Sequence, residues 1–256
     1  MKKLLVAALG CSLSVSALAF DSAKEVDANG WKAKVEKAMK ADIRGEADTK
    51  RDANRLPVET LEFFGFRDDI SVIELIPGGG WYTKLLAPAL ADKGKYYGAM
   101  FTRRIEENLV GKPGFDKINI LKVDAEVSRS EETGLNSITD FEFDVEPVDM
   151  VLTFRNYHNF DEEGRRNINE AAFKALKSGG IYGVIDHTRR HNVPLSPDMR
   201  RRIDPVLAIK EIQDAGFVLV DFSDLHYRPQ DGLNVEVGDE SVTGQTDRWT
   251  LKFKKP

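Results

Sequence analysis

The sequence predicts an α/β fold with a mostly parallel sheet, and three observations predict it. From Ile70 onward, short apolar runs alternate with helix-like stretches. Most of those runs are strand-length and apolar throughout, the pattern of strands buried on both faces. One strand-to-helix junction, "VIELIPGGGWYT", carries three consecutive glycines, Gly78, Gly79 and Gly80. In sheets of this kind ligands sit at the carboxyl ends of the strands, near the point where strand order reverses.

The first element is an export signal. Lys2 and Lys3 open the chain, Leu4 to Leu18 is apolar or small, and Ala17-Leu18-Ala19 gives a cleavage pattern ahead of Phe20. The run is too short for a comfortable membrane span. Ala8-Leu9-Gly10-Cys11 resembles a lipid-attachment box, but very little apolar chain precedes it, so cleavage after Ala19 is the preferred reading. Next, Trp31, Val35, Ala38 and Ala41 fall near helical spacing and predict a helix from Trp31 to Ile43, while Pro57 and Gly65 bracket a second. Strands are expected over Ser71–Ile76, Gly94–Phe101, Ile118–Val123, Val148–Phe154, Ile181–Asp186, Phe217–Leu225 and Arg248–Lys254. Helices are expected over Trp81–Leu90, which Pro88 should kink or end, over Glu162–Leu176 and over Pro205–Ala215. Glu126 to Glu146 reads as an acidic loop. The expected organisation is a signal peptide over 1–19, an N-terminal helical extension over 20–69 and an α/β domain over 70–256.

Composition narrows the function. A chain of 256 residues, 41% hydrophobic and 31% charged, suits one large α/β domain. Cys11 is the only cysteine, so the mature chain has none to oxidise in an exported compartment. The formal charge of −5 becomes more negative once Lys2 and Lys3 are removed. That balance argues against a nucleic-acid partner. A small-molecule partner, in the periplasm and without a membrane span after cleavage, is the expectation.

The glycine loop lets backbone lie against a flat ligand. It is not a dinucleotide fingerprint, because Thr83 stands where G-x-G-x-x-G needs its third glycine, and no lysine directly follows as a triphosphate loop requires. A tight turn without a ligand stays open as the alternative. After the fourth strand, "FRNYHN" places Arg155, Asn156, Tyr157 and His158 together. His158 is the candidate general base, with Asn156 or Tyr157 orienting a nucleophile, and Arg155 lines the pocket. Asp186 and His187 end the fifth strand and read as a pocket-lining pair. A metal reading through Asp186, His187, His191 and His158 carries little weight without an H-E-x-x-H motif, and no metal is expected. Arg202, with Asp204, closes the pocket or binds an acidic substrate. Arg55 and Thr246-Asp247-Arg248 read as structural ion pairs.

Glu74 in the first strand, the three glycines, Asp124 after the third strand and "LKSGG" before the fifth together resemble the class I methyltransferase fold. More closely, "RLPVETLEFFGF", "VIELIPGGGWYT", "FRNYHNF", "GVIDH", "RRIDP" and "TDRWTLKFKKP" look like a bacterial family of exported, predicted methyltransferases, over nearly all of Arg51 to Pro256. The resemblance implies a Rossmann-like sheet of order 3-2-1-4-5-7-6 with the last strand antiparallel. It also implies S-adenosylmethionine as cofactor, with Gly78, Gly79, Gly80 and Thr83 at its methionine part. Glu74 would accept from loop amides or the cofactor's amino group, and Asp124 would accept from the adenine amine. Two departures stand out. Ile76-Pro77 replaces the usual first glycine of the loop, and Met100 or Phe101 occupies the place of the acid that holds the ribose hydroxyls. Losing that acid removes two charge-assisted hydrogen bonds of roughly 1.5–3 kcal/mol each, which predicts weak cofactor binding or a different ligand. The expected function is a methyltransferase-like protein acting on a small molecule after export; the alternative is a non-catalytic periplasmic binding protein on the same scaffold.

Overall fold

A computed structural model describes residues 30–256. The expected signal peptide lies outside the described residues. Four short helices come first: α1 (Gly30–Met39), α2 (Glu46–Thr49), α3 (Asp52–Arg55) and α4 (Pro57–Phe64). The helix expected to reach Ile43 stops at Met39, because the chain turns back there and Arg44 Nη1 donates to the Met39 carbonyl at 2.8 Å. The same guanidinium holds Asp52 at 2.5 and 3.0 Å, which fixes α3 against the turn. α4 begins at Pro57 and ends at Gly65, whose φ of 81° lets the Phe66 N–H reach the Leu61 carbonyl at 2.9 Å.

The α/β part contains β1 (Ser71–Leu75), α5 (Thr83–Leu90), β2 (Lys95–Ala99), α6 (Arg103–Asn108), β3 (Ile118–Leu121), β4 (Val127–Arg129), β5 (Asn136–Ile138), β6 (Val148–Phe154), α7 (Glu162–Ala175), β7 (Leu176–His187), α8 (Pro205–Asp214), β8 (Val218–Ser223) and β9 (Arg248–Lys254). The main sheet has seven strands in the order β3-β2-β1-β6-β7-β9-β8. β9 runs antiparallel to both β7 and β8, and the other pairs of this sheet are parallel. With the small hairpin set aside, this is the 3-2-1-4-5-7-6 order with an antiparallel last strand that the resemblance implied.

One expectation needs correcting. The acidic stretch contains the antiparallel β4–β5 hairpin, which is too short for alternation to reveal. Its second strand leads into buried Phe141 and Phe143, so the segment is fastened to the core rather than loose. Pro88 lies inside α5, which ends two residues later at Leu90.

Core residues divide by sheet face. On one side Ile73, Leu75 and Val151 pack with Ile168, Ala171 and Ala172 of α7 and Ala208 and Ile212 of α8. On the other, Val72, Met150 and Leu152 meet Leu85 and Leu86 of α5, Ile105 of α6, and Trp31, Val35, Leu61 and Phe64 of the N-terminal helices. The extension is therefore part of one face of the α/β core. Among the described residues no helix is long and apolar enough to cross a membrane.

Candidate functional site

The three central strands end alike. Ile76 follows β1 with φ 54°, Met100 and Phe101 follow β2 with φ 62° and 50°, and Arg155 follows β6 with φ 62°. Left-handed backbone costs a non-glycine residue about 1–3 kcal/mol, most for a β-branched one such as Ile76. β1 and β6 each make one further ladder bond before the kink: Ile76 N–H to Ala99 O at 2.8 Å, and Arg155 N–H to Ile185 O at 2.7 Å. Asn156 then donates through Nδ2 to the carbonyls of Ile76 and Phe154 at 3.1 and 3.0 Å, tying the β1 and β6 ends together.

A cavity of about 310 Å³ lies at this junction, bounded by Glu74, Gly78, Gly79, Arg155 and Asn156. The N-terminal helices roof it. Trp81 Nε1 donates to the Asp48 carbonyl at 3.0 Å, and the Arg55 guanidinium lies 4.3 Å from the Trp81 ring centre. Tyr82 stacks on Phe154 below, with ring centres 3.6 Å apart. The dipeptide after the glycines thus anchors roof and floor together.

Glu74 is buried, and its Oε2 accepts from Tyr96 Oη at 2.6 Å and Thr83 Oγ1 at 2.7 Å. Burial raises its pKa to about 7, against the pull of those two hydroxyls and of Arg55. Thr83 therefore stands behind Glu74 rather than at the loop surface. Gly78 and Gly79 face the cavity, and a Cβ on Gly78 would meet nothing within 4 Å. Gly80 serves packing, since a Cβ there would come within 2.7 Å of Leu109 Cδ1. Met100 is buried in the core and Asp124 is exposed beyond β3; neither borders the cavity.

The remaining site candidates fall on a second region, at the ends of β6 and β7. Asp186 is fully buried and accepts three bonds: from the His158 N–H at 2.8 Å, from the His187 N–H at 2.7 Å, and at His158 Nδ1 over 2.5 Å. His158 borders a smaller cavity of about 200 Å³ with Arg165, Arg189, Arg200 and Arg202. His187 is turned to Thr246, with Nδ1 to Oγ1 at 2.9 Å, and burial followed by the neighbouring His158 pushes its pKa well below the usual histidine value. Tyr157, in the same loop after β6, borders neither cavity; its hydroxyl meets Asn169 at 2.8 Å and Glu211 at 3.1 Å. Arg202 is buried in a two-pronged pair with Asp231 at 2.9 and 3.0 Å, while Asp204 caps α8 and holds His191. Among the described residues no three His, Cys, Asp or Glu side chains converge as a metal site.

Sequence reasoning missed the cationic lining of the larger cavity. Arg51, Arg55 and Arg104 border it together with Arg155. Arg55 and Arg248 form no ion pair among the described residues, contrary to expectation: Arg248 Nη1 donates to the Asn54 carbonyl at 3.1 Å, and Arg55 lies against an indole. Burial, then the neighbouring Arg155, Arg248 and Arg51, lowers the Arg55 pKa to about 8 against a weaker opposing pull from Tyr82. Only Arg155, directly after Phe154 at a strand end, carried a signal in the sequence; Arg51, Arg55 and Arg104 come from the turn before α3, α3 itself and α6, with no aromatic neighbour in the chain.

The architecture is that of the class I methyltransferases. A SAM-dependent methyltransferase from Aquifex aeolicus is 18% identical, with a TM-score of 0.54 over 86% of this chain and 96% of that one. The [4+2]-cyclase SpnF is 14% identical, with a TM-score of 0.55 over 89% of this chain and 93% of its own. The glycopeptide N-methyltransferase MtfA gives 14% identity and a TM-score of 0.51 over 80% and 91%. No family model matches the sequence, and no curated protein matches it. At these identities the likeness defines the fold.

Proposed function

We propose that the protein is a methyltransferase-like protein that binds S-adenosylmethionine beside the glycine loop and acts on a small molecule after export. The observation that carries this reading is the convergence of Glu74, the open backbone of Gly78 and Gly79, and Asn156 on one cavity at the carboxyl edge of the sheet. The missing Cβ at Gly78 leaves room for a ligand to lie against the backbone, so the residues fit the methionine part of the cofactor. When bound, that cofactor supplies an electrophilic methyl group. The chain's own contribution is placement, with His158, held at Nδ1 by Asp186, as base; because His158 borders the smaller cavity, this reading needs an acceptor long enough to reach from there to the methyl group beside the glycine loop.

A second reading, a small-molecule-binding protein without methyl transfer, is favoured by one feature. Where the fold usually holds the ribose with an acid, this chain has Met100 and Phe101, followed by Arg104 over Gly79. SpnF, described as a cyclase, has a similar architecture, so the fold does not dictate the reaction. Calorimetric titration of the protein starting at Phe20 with S-adenosylmethionine separates the readings. Saturable binding that Gly79→Trp abolishes, and methyl transfer that His158→Ala abolishes with binding intact, support the first. No saturation at millimolar cofactor leaves the second. Export itself is read by fractionating cells and sequencing the mature N-terminus, with cleavage after Ala19 expected.

A further inference from the structure

The larger cavity holds more positive charge than its own side chains neutralise. Four guanidinium groups border it, from α3 and the turn before it (Arg55, Arg51), from the end of β6 (Arg155) and from α6 (Arg104). None forms an ion pair or a side-chain hydrogen bond among the described residues. The nearby acids are already engaged: Asp48 holds Lys84 at 2.7 Å, and Glu74 is occupied by two hydroxyls in a setting that resists ionisation. Arg55 is only 4% exposed, yet its Nη2 is buried without an acceptor, and so is the Nε of Arg155. Arg104 Nη2 lies where it would be 3.5 Å from a Cβ on Gly79, so it reaches over the glycine loop.

Unpartnered buried donors are costly, and a site with several of them is built for an acceptor it must receive from outside. A carboxylate supplies one charge. A phosphate group carries close to two negative charges near neutral pH and three acceptor oxygens, and planar guanidinium forks match it. The sulfonium cofactor brings a single carboxylate together with positive centres of its own, and leaves most of this charge unanswered. We propose that the cavity beside Gly78 and Gly79 binds the phosphate group of a small molecule through Arg51, Arg55, Arg104 and Arg155. Phosphate here would lie against the same Gly78–Gly79 backbone as the methionine part of S-adenosylmethionine, so this inference rests on the second reading above, a binding protein without methyl transfer.

The test is calorimetric titration with inorganic phosphate, glycerol 3-phosphate and succinate at matched ionic strength. Saturable phosphate binding is expected, weakened at least about tenfold in the R51A/R104A double variant, as the loss of charge-assisted hydrogen bonds implies. Both side chains are exposed, so the double variant should melt like the parent. Arg103→Ala is the control: its guanidinium pairs with Glu107 and it does not border the cavity, so affinity should not change. Tighter binding of glycerol 3-phosphate than of phosphate identifies an ester as the source, and the reverse identifies the free ion. The proposal is overturned if phosphate does not saturate at millimolar concentration, if R51A/R104A binds it as the parent does, or if succinate binds more tightly.

Discussion

At the scale of single residues, Glu74 sets a measurable pH dependence. Its folded pKa of about 7 lies above the ordinary value of 4.5, so between those two pH values the folded protein keeps a proton that the unfolded chain has released. Stability through this group therefore falls as pH rises from 4.5 to 7. Glu74→Gln keeps an acceptor for Thr83 and Tyr96 and removes the charge. We expect the variant to gain on the parent across that window by up to about 3 kcal/mol, read from urea unfolding at several pH values. A gap that narrows with rising pH would contradict the assignment. His226 has the opposite sign. Burial lowers it to about 4 from 6.5, so its contribution is full above 6.5 and fades as pH falls toward 4. Glu74 was singled out through the resemblance of its strand and glycine loop to the methyltransferase fold, but its partners were not legible, since Tyr96 comes from the neighbouring strand.

Among elements, the connection between β8 and β9 shows how a charged residue can hold structure from a distance. Arg202 lies in a run of three arginines that looks like a solvated face, yet its guanidinium is buried against Asp231 and the carbonyls of Thr188 and Val235. Asp231 in turn accepts from the N–H groups of Leu233 and Asp247. Asp231→Ala leaves a buried unpaired cation and should cost about 3–5 kcal/mol, seen as a lower denaturation midpoint. If the connection only rests on the surface, the loss will stay within a few tenths. Local periodicity exposed most strands and helices within a residue or two, and Val148–Phe154 and Arg248–Lys254 without error. It could not expose a pair whose members are far apart in sequence and joined through an aperiodic segment. The β4–β5 hairpin escaped for a related reason, since three residues a side hold too little alternation to stand out.

Over the whole molecule, the fold was legible and the site only partly so. Strand order follows from the alternation of elements together with the family resemblance, whereas the larger cavity forms where the N-terminal helices meet strand ends remote from them in sequence. Arg55 could not be paired with Arg155 by inspection. A chain beginning at Pro57 would lose that roof together with Trp31, Val35 and Ala38, which cover α5. We expect it to unfold without a sharp transition, whereas a separable extension would leave a cooperative melt by calorimetry. The position of β9 has a further consequence, for the order of assembly. β9 is made after every other strand of the sheet, yet it lies between β7 and β8. As the chain emerges from its N-terminus, β8 has no neighbour to join until β9 arrives and fills the slot. The sheet is thus completed by its latest strand, and the chain stays open at that seam while it is being made.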